Sequence, residues 1–513
     1  MENLLPNLAG GFATAIDPLN LFYCFVGVFL GTLVGVLPGV GSLAAISMLM
    51  PLTFYVPPET ALIMLAGIYY GTQYGGSTAS ILLNLPGTPS AAVICLDGYP
   101  MSQQGRAGVA LAMTTIASFF GATCGIIVLT LFAQSLSRIG LSFTSAEYFS
   151  LMFLGLVASS TLASGPPVKG IAMVLVGLAL GLVGSDVQTG VQRYTFGSMS
   201  LFDGINLVAL SMGLFGVSEV ISSMRSGDSG SHIGKVRLRS LIPTRADLKS
   251  SVAPLLRGTA VGAFFGPLPG TGTNLASFMA YVLEKKVARD PSRFGKGAIE
   301  GVVAPESANN SAAQTAFVPT LTLGIPGDAV MALLLGVLIM HGIQPGPNLI
   351  EAQPKLFWGL VASFWIGNLM LLILNLPLIG LWVKILAIPR KVLLPAILMF
   401  MCIGVYSVNN NAVDIGIMIV FGVVGYFMLS LGFEAAPLIL GFILGPLMEQ
   451  YLKRALLLSS GDPMVFVERP ISCGFLTVAV AALFLSAVAS IRNARRANQP
   501  VEDPAADTDG NRP

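Results

Sequence analysis

Between Leu19 and Val56 the chain carries no charged side chain. A membrane-crossing helix needs roughly 20 such apolar residues, so this run exceeds one span and removes most soluble architectures from consideration. Its middle is nonetheless irregular. Residues 31–42 read GTLVGVLPGVGS, where Gly31, Gly35, Gly39, Gly41 and Pro38 interrupt the greasy sequence. In a helix interior Gly costs about 1 kcal/mol and Pro about 3 kcal/mol relative to Ala. A segment with its breakers at its centre is not an ordinary span.

The rest of the chain has the same character. It is 54% hydrophobic and 10% charged, with a mean hydropathy of +0.79, whereas soluble domains run near 25% charged. The expected fold is an all-α polytopic membrane protein with about 10–14 membrane segments, some of them half-spans. The net charge of +2 says little; no nucleic-acid partner is expected, and the lipid bilayer is the expected surrounding. Cys24, Cys95, Cys124, Cys402 and Cys473 are scattered in apolar sequence without pairing rhythm or metal spacing, and read as small hydrophobes. No Lys or Arg precedes Arg106, so the first apolar segment lacks the basic start of a cleavable signal.

The clearest polar break is residues 223–257, which hold seven Lys/Arg and two acids. The positive-inside rule places this linker in the cytoplasm. It separates an expected membrane repeat at 1–222 from a second at 258–460. A C-terminal membrane helix over 461–491 and a disordered cytoplasmic tail over 492–513 follow. The two repeats resemble each other. Residues 31–42 match GAFFGPLPGTGT at 262–273, and STASILLNLPGTPSA (77–91) matches FVPTLTLGIPGDAVM (317–331) through their Pro-Gly pairs. LDGYP (96–100) faces MHGIQP (340–345), and ASFFG (117–121) faces ASFWIG (362–367). Four matches in one order indicate internal duplication. Gly/Pro-interrupted segments at corresponding places in two halves point to a secondary transporter. Such halves run parallel or inverted; inverted is the commoner design with broken helices and is the expectation here.

Charge frames the second interrupted segment, Gly258 to Leu283. Basic residues flank both ends, in the linker and in EKKVARDPSRFGK, so both ends look cytoplasmic. It reads as a re-entrant hairpin with its tip at Pro269–Gly272; the competing reading is one long span with one flank against the charge rule.

Two segments are too polar to face lipid. Residues 69–92 offer Thr72, Gln73, Gly75, Gly76, Ser77, Thr78, Ser80 and Asn84 before the break at Pro86, Gly87 and Thr88. Residues 304–329 carry Glu306, Ser307, Asn309, Asn310, Ser311, Gln314, Thr315 and Thr320 before Gly327 and Asp328. Unpaired polar groups cost several kcal/mol in hydrocarbon, so such stretches must line a cavity or lie buried in protein. Ionisable residues at that depth are functional candidates. A broken helix presents free N–H groups and a positive dipole end that attracts carboxylates, and its unwound carbonyls can hold Na⁺. The candidate substrate-binding residues are Ser42, Gly75, Gly76, Ser77, Thr78, Asn84, Gly87, Thr88, Thr273, Asn309, Asn310, Ser311, Gln314 and Gly327. The candidate coupling-ion residues are Gly39, Gly270, Glu306 and Asp328.

Structural roles compete at several of these positions. Gly31 and Gly35 have the spacing for close helix packing. Asn309 and Asn310 can glue helices together, Glu306 can cap a helix, and Asp328 can cap the half-helix after Gly327. Asp97 reads as an interface residue, His341 as structural, and Asp186 with Arg193 as a loop ion pair. Enzyme chemistry finds no footing: there is no phosphate-binding loop, no metal-spaced His/Cys set, and only two histidines. The chain is therefore expected not to be an enzyme and to carry no cofactor beyond coupling Na⁺ or H⁺. A channel or exporter for another organic anion is the alternative reading, and a membrane-embedded enzyme acting on lipid or peptide a more distant one.

At this point a family comes into view. GTLVGVLPGVGSLAAISMLMPLTF (31–54), YYGTQYGGSTASILLNLPGTPSAAVICLDGYPMSQQGRAG (69–108), GSDVQTGVQRYTFG (184–197), GPLPGTGTNLASFMAY (266–281), GVVAPESANNSAAQTAFVPTLTLGIPG (301–327), HGIQPGP (341–347) and LGFILGPLMEQYLKRALLLSSGD (440–462) carry the likeness. Over residues 18–470 the chain resembles the large membrane subunit of the tripartite tricarboxylate transporters, the TctA family. The likeness departs at Thr72-Gln73-Tyr74 and at residues 101–104, MSQQ. It implies a bacterial inner-membrane carrier importing citrate or related di- and tricarboxylates on a cation gradient. The implied partners are a small four-helix membrane subunit and a periplasmic solute-binding protein. An elevator motion follows only by fold-level analogy.

Overall fold

The computed structural model describes residues 4–37, 41–162, 166–186, 189–225, 238–385 and 390–497. Pro38, Gly39 and residues 498–513 of the tail expected over 492–513 lie outside these residues; residues 492–497 of that tail are helical.

The described chain is helical, apart from one two-residue antiparallel pairing of Gly184–Ser185 with Gln192–Arg193. In chain order the helices are α1 (Leu4–Ala15), α2 (Pro18–Val36), α3 (Gly41–Leu49), α4 (Pro58–Leu83), α5 (Cys95–Met101), α6 (Ala107–Leu141), α7 (Ser145–Leu162), α8 (Pro167–Gly181), α9 (Leu207–Ser211) and α10 (Ser218–Arg225). They continue as α11 (Arg245–Phe265), α12 (Gly272–Val287), α13 (Glu300–Thr315), α14 (Phe317–Leu323), α15 (Ala329–Met340), α16 (Leu349–Ala352), α17 (Pro354–Asn375), α18 (Ile379–Ile385), α19 (Arg390–Asn409), α20 (Ala412–Ser430), α21 (Ala435–Leu458), α22 (Val465–Glu468) and α23 (Pro470–Ala497).

Seven described helices are long and apolar enough to cross a bilayer, and four shorter apolar helices accompany them. The expected 10–14 segments are reached only by adding helices that are shorter or less apolar than these seven. Because α11 begins at Arg245, the last part of the basic 223–257 stretch is helical.

Glycine decides how the central helices meet. A Cβ added at Gly27, Gly31 or Gly35 of α2 would run into the backbone of Met64, Ile68 and Thr72 on α4. Gly258 and Gly262 of α11, and Gly266 just after it, press in the same way on Ala304, Ala308 and Ala312 of α13. Small residues four apart let backbones approach where side chains would hold them off. The packing reading of Gly31 and Gly35 is the one the geometry supports.

The helix directions follow from contacts at their ends. Arg106, just before α6, pairs with Asp247 in the first turn of α11 at 2.5 Å. The Gln104 amide donates to the Lys296 carbonyl, ahead of α13, at 2.8 Å. So α6, α11 and α13 begin at one end of the bundle. The starts of α2, α4 and α17 surround a different cavity of about 690 Å³, whose lining includes Asn20, Thr60 and Lys355. Late in α6, Ser137 donates to the carbonyl of Pro347, seven residues ahead of α17, at 2.7 Å. The arms α11 and α12 fold back along each other and are tied by Arg257 and Glu284 at 2.5 Å. This is a hairpin and not one continuous span.

Asp97, read as an interface residue, is enclosed by protein. It is fully buried. One carboxylate oxygen accepts the N–H groups of Gly295, Gly297 and Ala298 at 2.8–2.9 Å. The other accepts the Tyr281 hydroxyl at 2.9 Å. A carboxylate satisfied by four donors is a structural rivet, here fixing the loop between α12 and α13 to α5.

Candidate functional site

In each half the interrupted segments come together. A Cβ on Gly87, in the break after α4, would strike the backbone of Gly35, at the end of α2. In the second half the N–H of Gly270 donates to the carbonyl of Gly327 at 2.8 Å. Gly270 and Gly272 have φ of 80° and 55°, the left-handed region that favours glycine. Thr271 donates its hydroxyl to the carbonyls of Phe265 and Leu268, closing the tip on itself.

Around the first pair of breaks lies a network of uncharged groups. The Ser42 and Thr72 hydroxyls are 2.6 Å apart. The Gln73 amide donates to Ser42 at 3.4 Å and accepts the Ser90 hydroxyl at 3.0 Å. Thr88 and Ser90 are linked at 3.1 Å. Three breaks lead into α-helices, α3, α12 and α15; the fourth, at Pro86-Gly87, leads into a single 3₁₀ segment, Pro89–Ile94.

Asp328 caps α15: one oxygen accepts the N–H of Met331 at 2.8 Å. Its other oxygen accepts the Tyr69 hydroxyl at 3.4 Å, which brings α4 to the second pair of breaks.

Glu306 is not a helix cap. It sits within α13, fully buried, and its carboxylate joins three helices. It accepts the hydroxyl of Ser77 on α4 at 2.6 Å and that of Ser118 on α6 at 2.5 Å. The Asn310 amide donates to Glu306 at 3.0 Å and to the Ser118 hydroxyl at 2.9 Å. Among the described residues no Lys or Arg is buried, so Glu306 is held by neutral donors alone.

Other predicted residues divide by surroundings. Asn309 is fully buried, and neither atom of its amide has a hydrogen-bond partner; the Gln314 carbonyl oxygen is likewise unpartnered. Such groups cost about 1–3 kcal/mol each when left unsatisfied, which makes them candidates for a ligand. Thr78 and Thr273 are buried. Ser311 spends its hydroxyl on the Thr259 carbonyl at 3.0 Å, binding α13 to α11. Gly75 packs against the backbone of Thr32 and Val36, and Gly76 against Thr88. Asn84 is exposed and ends α4 in a left-handed conformation, φ 57°.

Sequence reasoning passed over Ser118, Tyr69 and Ser90 as site residues. Ser118 and Ser90 carried a signal, because they lie in the repeated ASFFG and STASILLNLPGTPSA motifs; Tyr69 stood only at the edge of the polar 69–92 segment, and the tertiary fold alone sets it beside Asp328. Away from the breaks, Arg193 pairs with Asp186 and, at 2.9 Å, with Glu449; Lys453 reaches Asp186 at 2.6 Å and Glu449 at 2.7 Å. His341 caps α15 and stacks on Phe54 with centroids 6.0 Å apart.

A family model described as the tripartite tricarboxylate transporter TctA family matches residues 21–440. The chain belongs to that family. It is therefore a large multi-pass membrane component of a transport system with further subunits. An uncharacterized 52.8 kDa protein of Agrobacterium vitis, from the TAR-I ttuC' 3' region, is 51% identical over 495 residues, covering 96% of this chain and 98% of the relative. An uncharacterized protein from the TAR-II ttuC' 3' region of the same organism is 55% identical over 234 residues, covering 46% of this chain and 97% of the relative. No solved structure matches this family member.

Proposed function

We propose that this family member is the translocating subunit of a cation-coupled importer of di- or tricarboxylates, such as citrate, in a bacterial inner membrane. A periplasmic solute-binding protein delivers the substrate and a small four-helix subunit completes the assembly. The observation that carries the reading is the meeting of broken helices, Gly35 with Gly87 and Gly270 with Gly327, beside buried polar groups that lack cationic partners. Substrate carboxylates take helix-end N–H groups, the hydroxyls of Ser42, Thr78, Thr88 and Thr273, and the amides of Asn309 and Gln314, while Ser77, Asn310 and Ser311 hold the surrounding helices through Glu306 and Thr259. Because the described residues place no buried Lys or Arg beside Glu306 and Asp328, the charge of an entering anion has to be offset by co-transported cations.

The corresponding helices support an inverted duplication. α2, α4 and α17 begin at one end, while α11, α13 and α6 begin at the other, so each sequence-matched pair runs in opposite directions. An elevator motion of the broken-helix hairpins fits this arrangement by analogy.

The test is flux in proteoliposomes holding the complete transporter. Labelled carboxylate uptake is measured with a Na⁺ gradient, with a pH gradient and with neither. Uptake that requires one gradient supports the reading. Equal flux without any gradient fits a channel and overturns it.

A further inference from the structure

The hairpin α11–α12 presents an apolar outer surface. On α12 Phe278, Met279, Val282, Leu283 and Val287 are exposed, on the side away from buried Ala276, Ala280 and Glu284. At the base of this surface three cations follow within five residues: Lys285, Lys286 and Arg289, all exposed. Three other basic side chains nearby are spent, while Lys296 is exposed like these three cations. Arg257 holds Glu284, Arg293 holds Glu300, and Arg106 holds Asp247. None of the three cations enters an ion pair among the described residues, and the adjacent carboxylate of Asp290 is taken by Ser292. Part of the charge suits the α12 C-terminus, whose carbonyl end favours cations. A helix dipole does not call for three cations, nor for the apolar surface directly beneath them.

We propose that the outer face of α12 is a binding surface for an anionic phospholipid. Its acyl chains lie along Phe278, Met279, Val282, Leu283 and Val287, and its phosphate sits among Lys285, Lys286 and Arg289. Charge complementarity selects the occupant: an apolar face capped by cations fits a molecule with hydrocarbon chains and an anionic head. Each Lys or Arg adds attraction near an anionic membrane surface, and three together favour an anionic over a zwitterionic lipid on the order of a hundredfold. The surface belongs to the hairpin whose tip touches Gly327, so its lipid is placed to steady that hairpin.

The experiment titrates the full chain, purified in neutral detergent, with phosphatidylglycerol, phosphatidylcholine or inorganic phosphate, reading thermal stability and lipid retention by native mass spectrometry. Phosphatidylglycerol is expected to bind tighter than phosphatidylcholine by roughly two orders of magnitude, and inorganic phosphate to have no effect. The variant K285Q/K286Q/R289Q should lose the preference, while K285R/K286R should keep it. If the triple variant folds poorly, K286Q alone should narrow the preference several-fold. Equal binding of the two lipids, an unchanged preference in the glutamine variants, or a response to phosphate alone overturns the proposal.

Discussion

The hydroxyl of Ser77 lies 2.6 Å from a carboxylate oxygen of Glu306, a residue 229 positions away in the other half of the chain. Asn310 and Ser118 complete the set of donors, with no base among them. Ser77→Ala and Asn310→Ala each remove one donor from a buried carboxylate, a loss of about 1.5–3 kcal/mol for a hydrogen bond to a charged group. Uptake should fall about tenfold or more if that loss appears in the transport cycle. Membrane insertion should persist. Normal uptake in both variants at matched expression would remove these residues from the site.

Gly31 and Gly262 occupy matching places, one against Ile68 and one against Ala308. Replacing either by Ala forces α2 off α4 or α11 off α13. Overpacking of this kind costs about 1–3 kcal/mol, visible as a lower unfolding temperature in detergent. Gly10 of α1 has open space around it. Gly10→Ala should be neutral or stabilising by up to about 1 kcal/mol, from helix propensity alone. Equal effects at all three positions would contradict the packing argument.

Tyr281→Phe removes one donor to Asp97 and should cost about 0.5–1.5 kcal/mol. Asp97→Ala leaves the N–H groups of Gly295, Gly297 and Ala298 without an acceptor and should cost several times more. Limited proteolysis reads the outcome directly, because cleavage between α12 and α13 should quicken modestly in the first variant and sharply in the second.

Asp247 predicts an acid response. Burial disfavours its charge, but hydrogen bonds from Thr244 and Arg106 outweigh that and hold the carboxyl below its ordinary range. A depressed folded-state value means the contribution is fully present above the unfolded value, near 4, and is lost as pH falls through the folded one. Unfolding temperatures of the natural chain and Asp247→Asn should differ near neutral pH and converge in acid. A constant difference across that range would show that the Asp247 charge is not what stabilises the start of α11.

Apolar run length, the repeated GxxxGxLPGxG pattern and the two polar segments were legible in the sequence because each is a local or periodic property. They gave the helical membrane class, the positions of all four breaks and the residues that surround them. The Asp186–Arg193 pair was legible for the same reason: the partners share one loop. Glu306 was legible as a buried acid, but its role was not, since Ser77 and Ser118 reach it from two other helices.

The sequence by itself pointed to where the chain breaks, because Gly and Pro weaken a helix there; Pro254 in α11 and Pro305 in α13 show that packing can still carry a helix through such a residue. Tertiary structure alone decided what the breaks meet. It set Gly35 against Gly87 and Gly270 against Gly327, brought Tyr69 to Asp328, left the Asn309 amide without a partner and buried Asp97 under three backbone N–H groups. Those outcomes depend on which helix faces oppose each other, and packing sets that through contacts between residues distant in sequence, as far as the 259 positions from Tyr69 to Asp328.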